Sequence, residues 1–212
     1  MFKLVIFDLD GTLIDSMSAI MGPLNLTFSE LGLGPYEWKN DIERFFGKTF
    51  DIWAETLLKE GGKFSKENLK MMIDKMWDNY YRSGIKEIKL QEGTEEILEF
   101  LKKKGVKMAV ATNMITRHAE TILSRFNISE YFEKVCTASD LSRGKPHTDQ
   151  FECIMKNIKA EKNEILMVGD SETDIEFARN CGISMALLES PWNRSIDADY
   201  NIKKLTELAK IA

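Results

Sequence analysis

The chain alternates between two hydrophobic rhythms. Leu4-Val5-Ile6-Phe7 and Ile165-Leu166-Met167-Val168 are unbroken apolar runs, short for helices, and they predict strands buried on both faces. Residues 106–111 and 184–188 read the same way, and 134–137 predicts a shorter, weaker strand. Between these runs the apolar positions fall three and four apart. That spacing predicts helices over 94–104, 116–126, 148–159, 171–180 and 203–211, with Gly105 and Gly182 stopping two of them. Strands alternating with helices predict an α/β fold, a parallel sheet with helices on both faces.

One stretch breaks the alternation. Over 16–86 only the helical rhythm is present. Asp15 or Ser16 can cap a first helix, which Gly32, Gly34 and Pro35 end. Ile42, Phe45 and Phe46 mark a second apolar face. Phe50, Trp53, Leu57 and Leu58 make a third, stopped by Gly61-Gly62, and Leu69, Met72, Ile73, Met76 and Trp77 form the stripe of a longer helix after Ser65. The expectation is a helical domain, 16–86, inserted into a frame of 1–15 and 87–212.

With 212 residues the chain can bury a core of that size. A hydrophobic content of 43% and a charged content of 30% suit a globular chain and argue against disorder. A net charge of -5 gives no electrostatic reason to expect nucleic acid or an anionic membrane as partner. The apolar runs are too short to span a bilayer, and with the first strand beginning so early no signal peptide is expected. Cys136, Cys153 and Cys181 are widely spaced without a CxxC pair, and are expected as reduced thiols of a cytoplasmic protein. His118 and His147 lack zinc-type spacing, and His118 is expected to face solvent or pack locally.

Chemistry collects where the strands end. Asp8 and Asp10 follow the first strand, and side chains two apart in extended chain point the same way. Adjacent carboxylates repel unless a cation or shared proton intervenes, and a hard divalent cation is the economical choice. Thr112 and Asn113 follow one strand, and Asp170 and Asp174 follow another. A parallel sheet brings all three ends to one edge, where open α/β sheets place ligands. Lys145, in a loop between strand and helix, adds a positive charge. Such a set suits phosphoryl transfer. Singly, each has a plainer reading: Asp10-Gly11 as a turn, Asp170-Ser171 and Thr112-Asn113 as helix caps. Gly47-Lys48-Thr49 resembles the end of a P-loop but lacks its earlier glycine.

In chain order, FDLDGT at 7–12, ATN at 111–113, GKP at 144–146 and VGDSETD at 168–174 resemble the four motifs of the haloacid dehalogenase superfamily of phosphohydrolases. The resemblance covers 1–15 and 88–212, and 16–86 is similar in place and character to the family's inserted helical (C1-type) cap. It implies a Rossmann-like sheet carrying a small helical cap domain. It implies Asp8 as nucleophile and Asp10 as general acid and base. Mg²⁺ would bind the Asp8 carboxylate, the Asp10 backbone carbonyl and Asp170. Thr112 and the amide of Asn113 would bind phosphate, Lys145 would neutralise charge, and Asp174 would orient Lys145 or a metal-bound water. Thr12 would support the site from behind. Arg44 or Lys48 would contact the distal part of the substrate. The segment after Pro146 departs from the pattern, with Thr148 near where many relatives carry a second proline.

The resemblance implies a Mg²⁺-dependent phosphatase acting on a small phosphorylated metabolite, nearest to the phosphoglycolate-phosphatase-like group. A sugar phosphomutase of the β-phosphoglucomutase type is the alternative, and Thr12 leans toward phosphatase because those mutases often carry Val there. A non-catalytic or phosphoacceptor signalling domain is the reading from a different class. Monomer and homodimer both stay open.

Overall fold

The computed structural model describes residues 2–33, 50–190, 193 and 197–211. Its strands are β1 (Leu4–Phe7), β2 (Ile14–Asp15), β3 (Lys89–Leu90), β4 (Lys107–Thr112), β5 (Lys134–Thr137), β6 (Ile165–Gly169), β7 (Ser184–Leu188) and β8 (Tyr200–Ile202). The chain divides into two units, Met1–Ile14 with Leu90–Ala212, and Asp15–Lys89. β2 and β3, at the two crossings, form a two-stranded sheet.

The first unit is built on a six-stranded sheet in the order β5-β4-β1-β6-β7-β8, parallel throughout. The chain winds outward from β1 to β5 on one side, then from β6 to β8 on the other. The strand order therefore reverses between β1 and β6, the place where a crevice opens in doubly wound sheets. This is the Rossmann-like α/β fold expected from the alternation of runs.

Central strands buried on both faces explain the unbroken apolar runs. Leu4, Ile6, Ala109, Ala111, Ile165, Met167, Met185 and Leu187 belong to one core with Ile154, Ile175, Phe177 and Ala178 from the helices. The alternate residues Val5, Phe7, Val110, Leu166 and Val168 face the other way and are equally buried. Phe7 meets Phe132 edge to face at 6.4 Å. Each fully buried aliphatic side chain contributes about 1.5–3 kcal/mol, which holds the strand ends in fixed register.

Helices cover Thr94–Lys103, Thr116–Arg125, Asp149–Met155 and Glu172–Cys181. Ser171 caps the last of these with a reciprocal capping box to Asp174, and Gly182 ends it at φ 70°. The third is shorter than the spacing predicts, because the chain turns at Lys156-Asn157. The expected terminal helix is instead a 3-10 turn at Leu205–Lys210, preceded by β8, which the sequence did not announce. Tyr200 and Asn201 of β8 are exposed and only Ile202 is buried, so this edge strand has no apolar run.

The second unit is helical among the described residues apart from its strand ends. Its helices are Met17–Glu30, Phe50–Glu60 and Lys66–Asn79, the last continuing through Tyr80–Gly84 as a π-helix and then Ile85–Glu87. Leu24, Phe28, Trp53, Ala54, Leu57, Leu58, Met72 and Met76 form its core. Ser65 caps its helix by accepting the Asn68 N–H at 3.0 Å, whereas Ser16 makes no side-chain cap. Pro23 lies inside the first helix and cannot donate to the Ala19 carbonyl. Gly84 packs so close to that carbonyl that a Cβ would overlap it. Ile42, Arg44, Phe45, Phe46 and Lys48 lie outside the described residues. No described helix is long and apolar enough to cross a membrane.

One expectation is corrected. Cys136 and Cys153 are joined in a disulfide, and only Cys181 is a free thiol. The 17-residue separation conceals that β5 and the Asp149–Met155 helix lie side by side, with Cα atoms 6.5 Å apart. Burial pushes the Cys181 thiol up to about 12. Of the two readings of His118, facing solvent or packing locally, the second holds: it is 1% exposed, and burial lowers its pKa to about 4.

Candidate active site

Asp8 and Asp170 each follow directly on a strand, and those strands are neighbours at the reversal of the sheet. The Asp8 N–H donates to the Val168 carbonyl at 2.8 Å, extending the ladder one residue past β1. Lys145 Nζ lies 2.7 Å from Asp8 Oδ1 and donates to Asp174 Oδ1 at 2.6 Å. The other Asp174 oxygen accepts the Ser171 hydroxyl at 2.6 Å and the N–H groups of Ser171 and Asp170 at 3.1 and 3.3 Å. Asp174 is thus held at both oxygens, and it holds Lys145 against Asp8.

Asp170 is braced from three directions. The Thr12 hydroxyl donates to Asp170 Oδ1 at 3.1 Å. Gly11, at φ 84°, passes so close that a Cβ would overlap the Asp170 carboxylate, so both backbone and space require glycine. Asn193 donates to the carbonyls of Asp170 and Leu188 at 2.7 and 2.8 Å, and its Oδ1 accepts the Ser190 N–H. Asp10 is partly exposed, pairs with Ile14 in an isolated bridge, and adds its charge to the repulsion on Asp170.

Thr112 and Asn113 carry on from β4. Thr112 Oγ1 accepts the Met114 N–H at 3.1 Å, so its own proton is for donation elsewhere. The Asn113 side chain clamps the lysine loop reciprocally: Oδ1 accepts the Lys145 N–H at 2.8 Å, and Nδ2 donates to the Lys145 carbonyl at 3.0 Å. The side-chain amide of Asn113 therefore serves the loop, a role the sequence reading did not assign. Gln150 and Asn193 were not singled out at all. Glutamine in a helix and asparagine in a loop give no local signal, and their partners are 38 and 23 residues away.

The electrostatics follow from burial. Asp8, Asp170 and Asp174 are all buried, with oxygens within 4.8 Å of one another. Burial pushes the Asp8 pKa up to about 7, with Lys145 opposing and Asp174 adding to the rise. Burial, then repulsion from Asp174, Asp8 and Asp10, holds Asp170 well above the usual carboxylate range. Burial alone would lower Lys145, but the charges of Asp174 and Asp8 outweigh it and keep the ammonium above its ordinary value. One lysine thus pairs with two of three clustered carboxylates. The surplus negative charge, all on hard oxygen donors, fits a hard divalent cation. Asp8 accepts from Lys145 and from the Leu9 backbone N–H, and Asp170 from the Thr12 hydroxyl; a carboxylate has about four lone-pair sites, so each keeps acceptor capacity for a cation.

The structure therefore brings Asp8, Asp170, Asp174, Lys145 and Thr12 into one network, with Asn113 joined to it through the lysine backbone. Arg44 and Lys48 are outside the described residues.

Comparison with known proteins places this arrangement in a family context. The family described as "Haloacid dehalogenase-like hydrolase" matches residues 5–188. The phosphoglycolate phosphatase of Haemophilus influenzae (strain 86-028NP) is 31% identical over 92% of this chain and 89% of its own length. Pyrophosphatase PpaX of Halalkalibacterium halodurans is 27% identical over 98% of this chain and 95% of its own. The crystal structure of a predicted phosphoglycolate phosphatase from Haemophilus somnus 129pt superposes with a TM-score of 0.87 at 27% identity, covering 99% of this chain and 97% of that one.

Proposed function

The chain belongs to the haloacid dehalogenase-like hydrolase family, and on that footing we propose that it is a Mg²⁺-dependent phosphatase of small phosphomonoesters, working through an aspartyl-phosphate on Asp8. The observation that carries this reading is the Lys145 ammonium 2.7 Å from the Asp8 carboxylate, beside Asp170 at the reversal of the sheet.

In the first step an Asp8 oxygen bonds to phosphorus as the ester bond breaks. Asp10 gives the leaving oxygen its proton. Asp10 then takes a proton from water, which attacks phosphorus and releases Asp8 with inorganic phosphate. Such proton transfer contributes on the order of 10²–10⁴ in rate. Thr112 donates its hydroxyl proton to a phosphate oxygen, and Lys145 offsets charge on Asp8 and on the transferring group. Asp8 and Asp170, with the Asp10 backbone carbonyl, would hold Mg²⁺, which would supply charge neutralisation and so favour an ionised Asp8 at neutral pH.

Two relatives support readings of the substrate class. The phosphoglycolate phosphatase at 31% identity supports a small acidic phosphomonoester such as phosphoglycolate. The PpaX relative at 27% supports pyrophosphate as the second reading. We assign selectivity to the Asp15–Lys89 unit, with Arg44 or Lys48 meeting the distal part of the substrate. The deciding experiment is phosphate release from p-nitrophenyl phosphate, phosphoglycolate, pyrophosphate and sugar phosphates, with and without Mg²⁺. Turnover needing Mg²⁺, and lost in Asp8→Asn, supports the proposal. Absence of turnover across the panel by folded protein overturns it, and a requirement for a sugar bisphosphate would favour a mutase.

A further inference from the structure

We infer that Gln150 is a positioning residue for the phosphoryl-transfer site, setting the Thr112 hydroxyl relative to Lys145. The inference rests on the phosphatase reading.

Gln150 stands in the first turn of the Asp149–Met155 helix, just past the lysine loop, and is fully buried. Its Nε2 donates to the Thr112 carbonyl at 2.6 Å and reaches the Cys136 carbonyl at 3.3 Å. Thr112 and Thr137 are the last paired residues of β4 and β5. Beyond them the ladder ends, and a buried carbonyl left there needs a donor from elsewhere. The Gln150 amide gives the last-paired Thr112 carbonyl that donor, and reaches the Cys136 carbonyl one residue before the end of the β5 pairing.

The orientation of the amide is determined by charge. Reversed, its oxygen would face two carbonyl oxygens. Its Oε1 lacks a hydrogen-bond partner among the described residues, so the side chain is held through its donor end. A buried amide with one end unsatisfied is poorer for packing than an apolar residue of the same shape. Its contribution is therefore in the two carbonyls it holds.

Those carbonyls matter because of what is attached to them. Thr112 carries the hydroxyl assigned to phosphate, and Asn113, next along the chain, clamps the Lys145 backbone by two hydrogen bonds. Gln150 returns the link from the other side of Lys145. Residues 112–113 and 145–150 are thereby cross-braced by hydrogen bonds spanning 32 to 38 residues. Loosening one brace lets the hydroxyl and the ammonium drift independently, and drifts on the order of 1 Å cost roughly 10²-fold in rate.

The test uses the full-length protein with Gln150→Met and Gln150→Glu. Both keep the approximate shape; the first removes the donors, and the second turns a charge toward two carbonyls. Assays run well below the lower Tm, on p-nitrophenyl phosphate with Mg²⁺, with inorganic phosphate as inhibitor. The expected result is graded. kcat falls about tenfold in Gln150→Met and further in Gln150→Glu, and the phosphate inhibition constant rises in step. The Mg²⁺ concentration for half-activation stays within about twofold, because Asp8 and Asp170 are untouched. Wild-type kcat and phosphate affinity in folded Gln150→Met would overturn the inference. So would losses confined to Tm, or equal in Mg²⁺ and phosphate affinity, since those mark a general packing role. Failure of the wild-type protein itself to release phosphate would instead overturn the phosphatase reading, and this inference with it.

Discussion

The Lys145 ammonium lies 2.7 Å from the Asp8 carboxylate, with the two side chains only 3% and 10% exposed. In so dry a site neither charge has water to replace its partner. Lys145→Met would leave Asp8 and Asp174, clustered with Asp170, without their shared cation. The expected loss is about 3–5 kcal/mol of stability in metal-free protein, and on the order of 10³ or more in kcat. Mg²⁺ restores part of the stability and little of the rate. Denaturant unfolding with and without Mg²⁺, beside a turnover assay, checks both halves. A Lys145→Met protein with unchanged unfolding midpoint would show the pair to be unimportant to the fold.

Gly11 tests the same site from the other side. Its φ of 84° and its contact with the Asp170 carboxylate leave no room for a methyl group. Gly11→Ala should displace Asp170, raising the Mg²⁺ concentration for half-activation at least about tenfold and lowering kcat. Titration of activity against Mg²⁺ decides it, and a wild-type curve would contradict the geometry.

His118 makes a pH prediction. Burial lowers its pKa from 6.5 to about 4, so the folded protein holds it neutral where the unfolded chain would bind a proton. A depressed folded pKa means stability present above the unfolded value and lost as pH falls. This contribution is therefore complete above pH 6.5 and disappears as pH drops through about 4. The chain has only 2 histidines, so NMR titration separates His118 from His147. His118 titrating near 6.5 in folded protein would contradict its burial.

Thiol chemistry checks the corrected cysteine reading. Unfolded without reductant, the protein should expose one reactive thiol, Cys181; after reduction it should expose all 3 cysteines. Opening the 17-residue link should cost on the order of 3 kcal/mol of stability. Mass spectrometry of a non-reduced digest gives the answer. Three thiols before reduction would refute the pairing.

Much of this protein was legible in its sequence because much of it is local. An apolar run between polar flanks specifies a buried strand, and Gly182 marks a helix end wherever the helix goes. Since parallel strands end on one edge, the sequence alone gathers Asp8, Thr112 and Asp170. Asp174 lies one helical turn after Asp170, and the family resemblance leaves it to orient either Lys145 or a metal-bound water; in the structure it accepts from Lys145.

Only the tertiary structure decided what holds those residues still. Thr12 reaches Asp170 across 158 positions, Gln150 reaches Thr112 across 38, and Asn193 reaches Asp170 across 23. Cys136 meets Cys153 because a helix returns beside β5. β8 exists because β7 offers it an edge, although its own residues carry no apolar run. The physical reason is the same in each case. Periodicity says which side of an element is buried, but a hydrogen bond or a disulfide depends on which distant atoms the packed chain brings within a few ångströms.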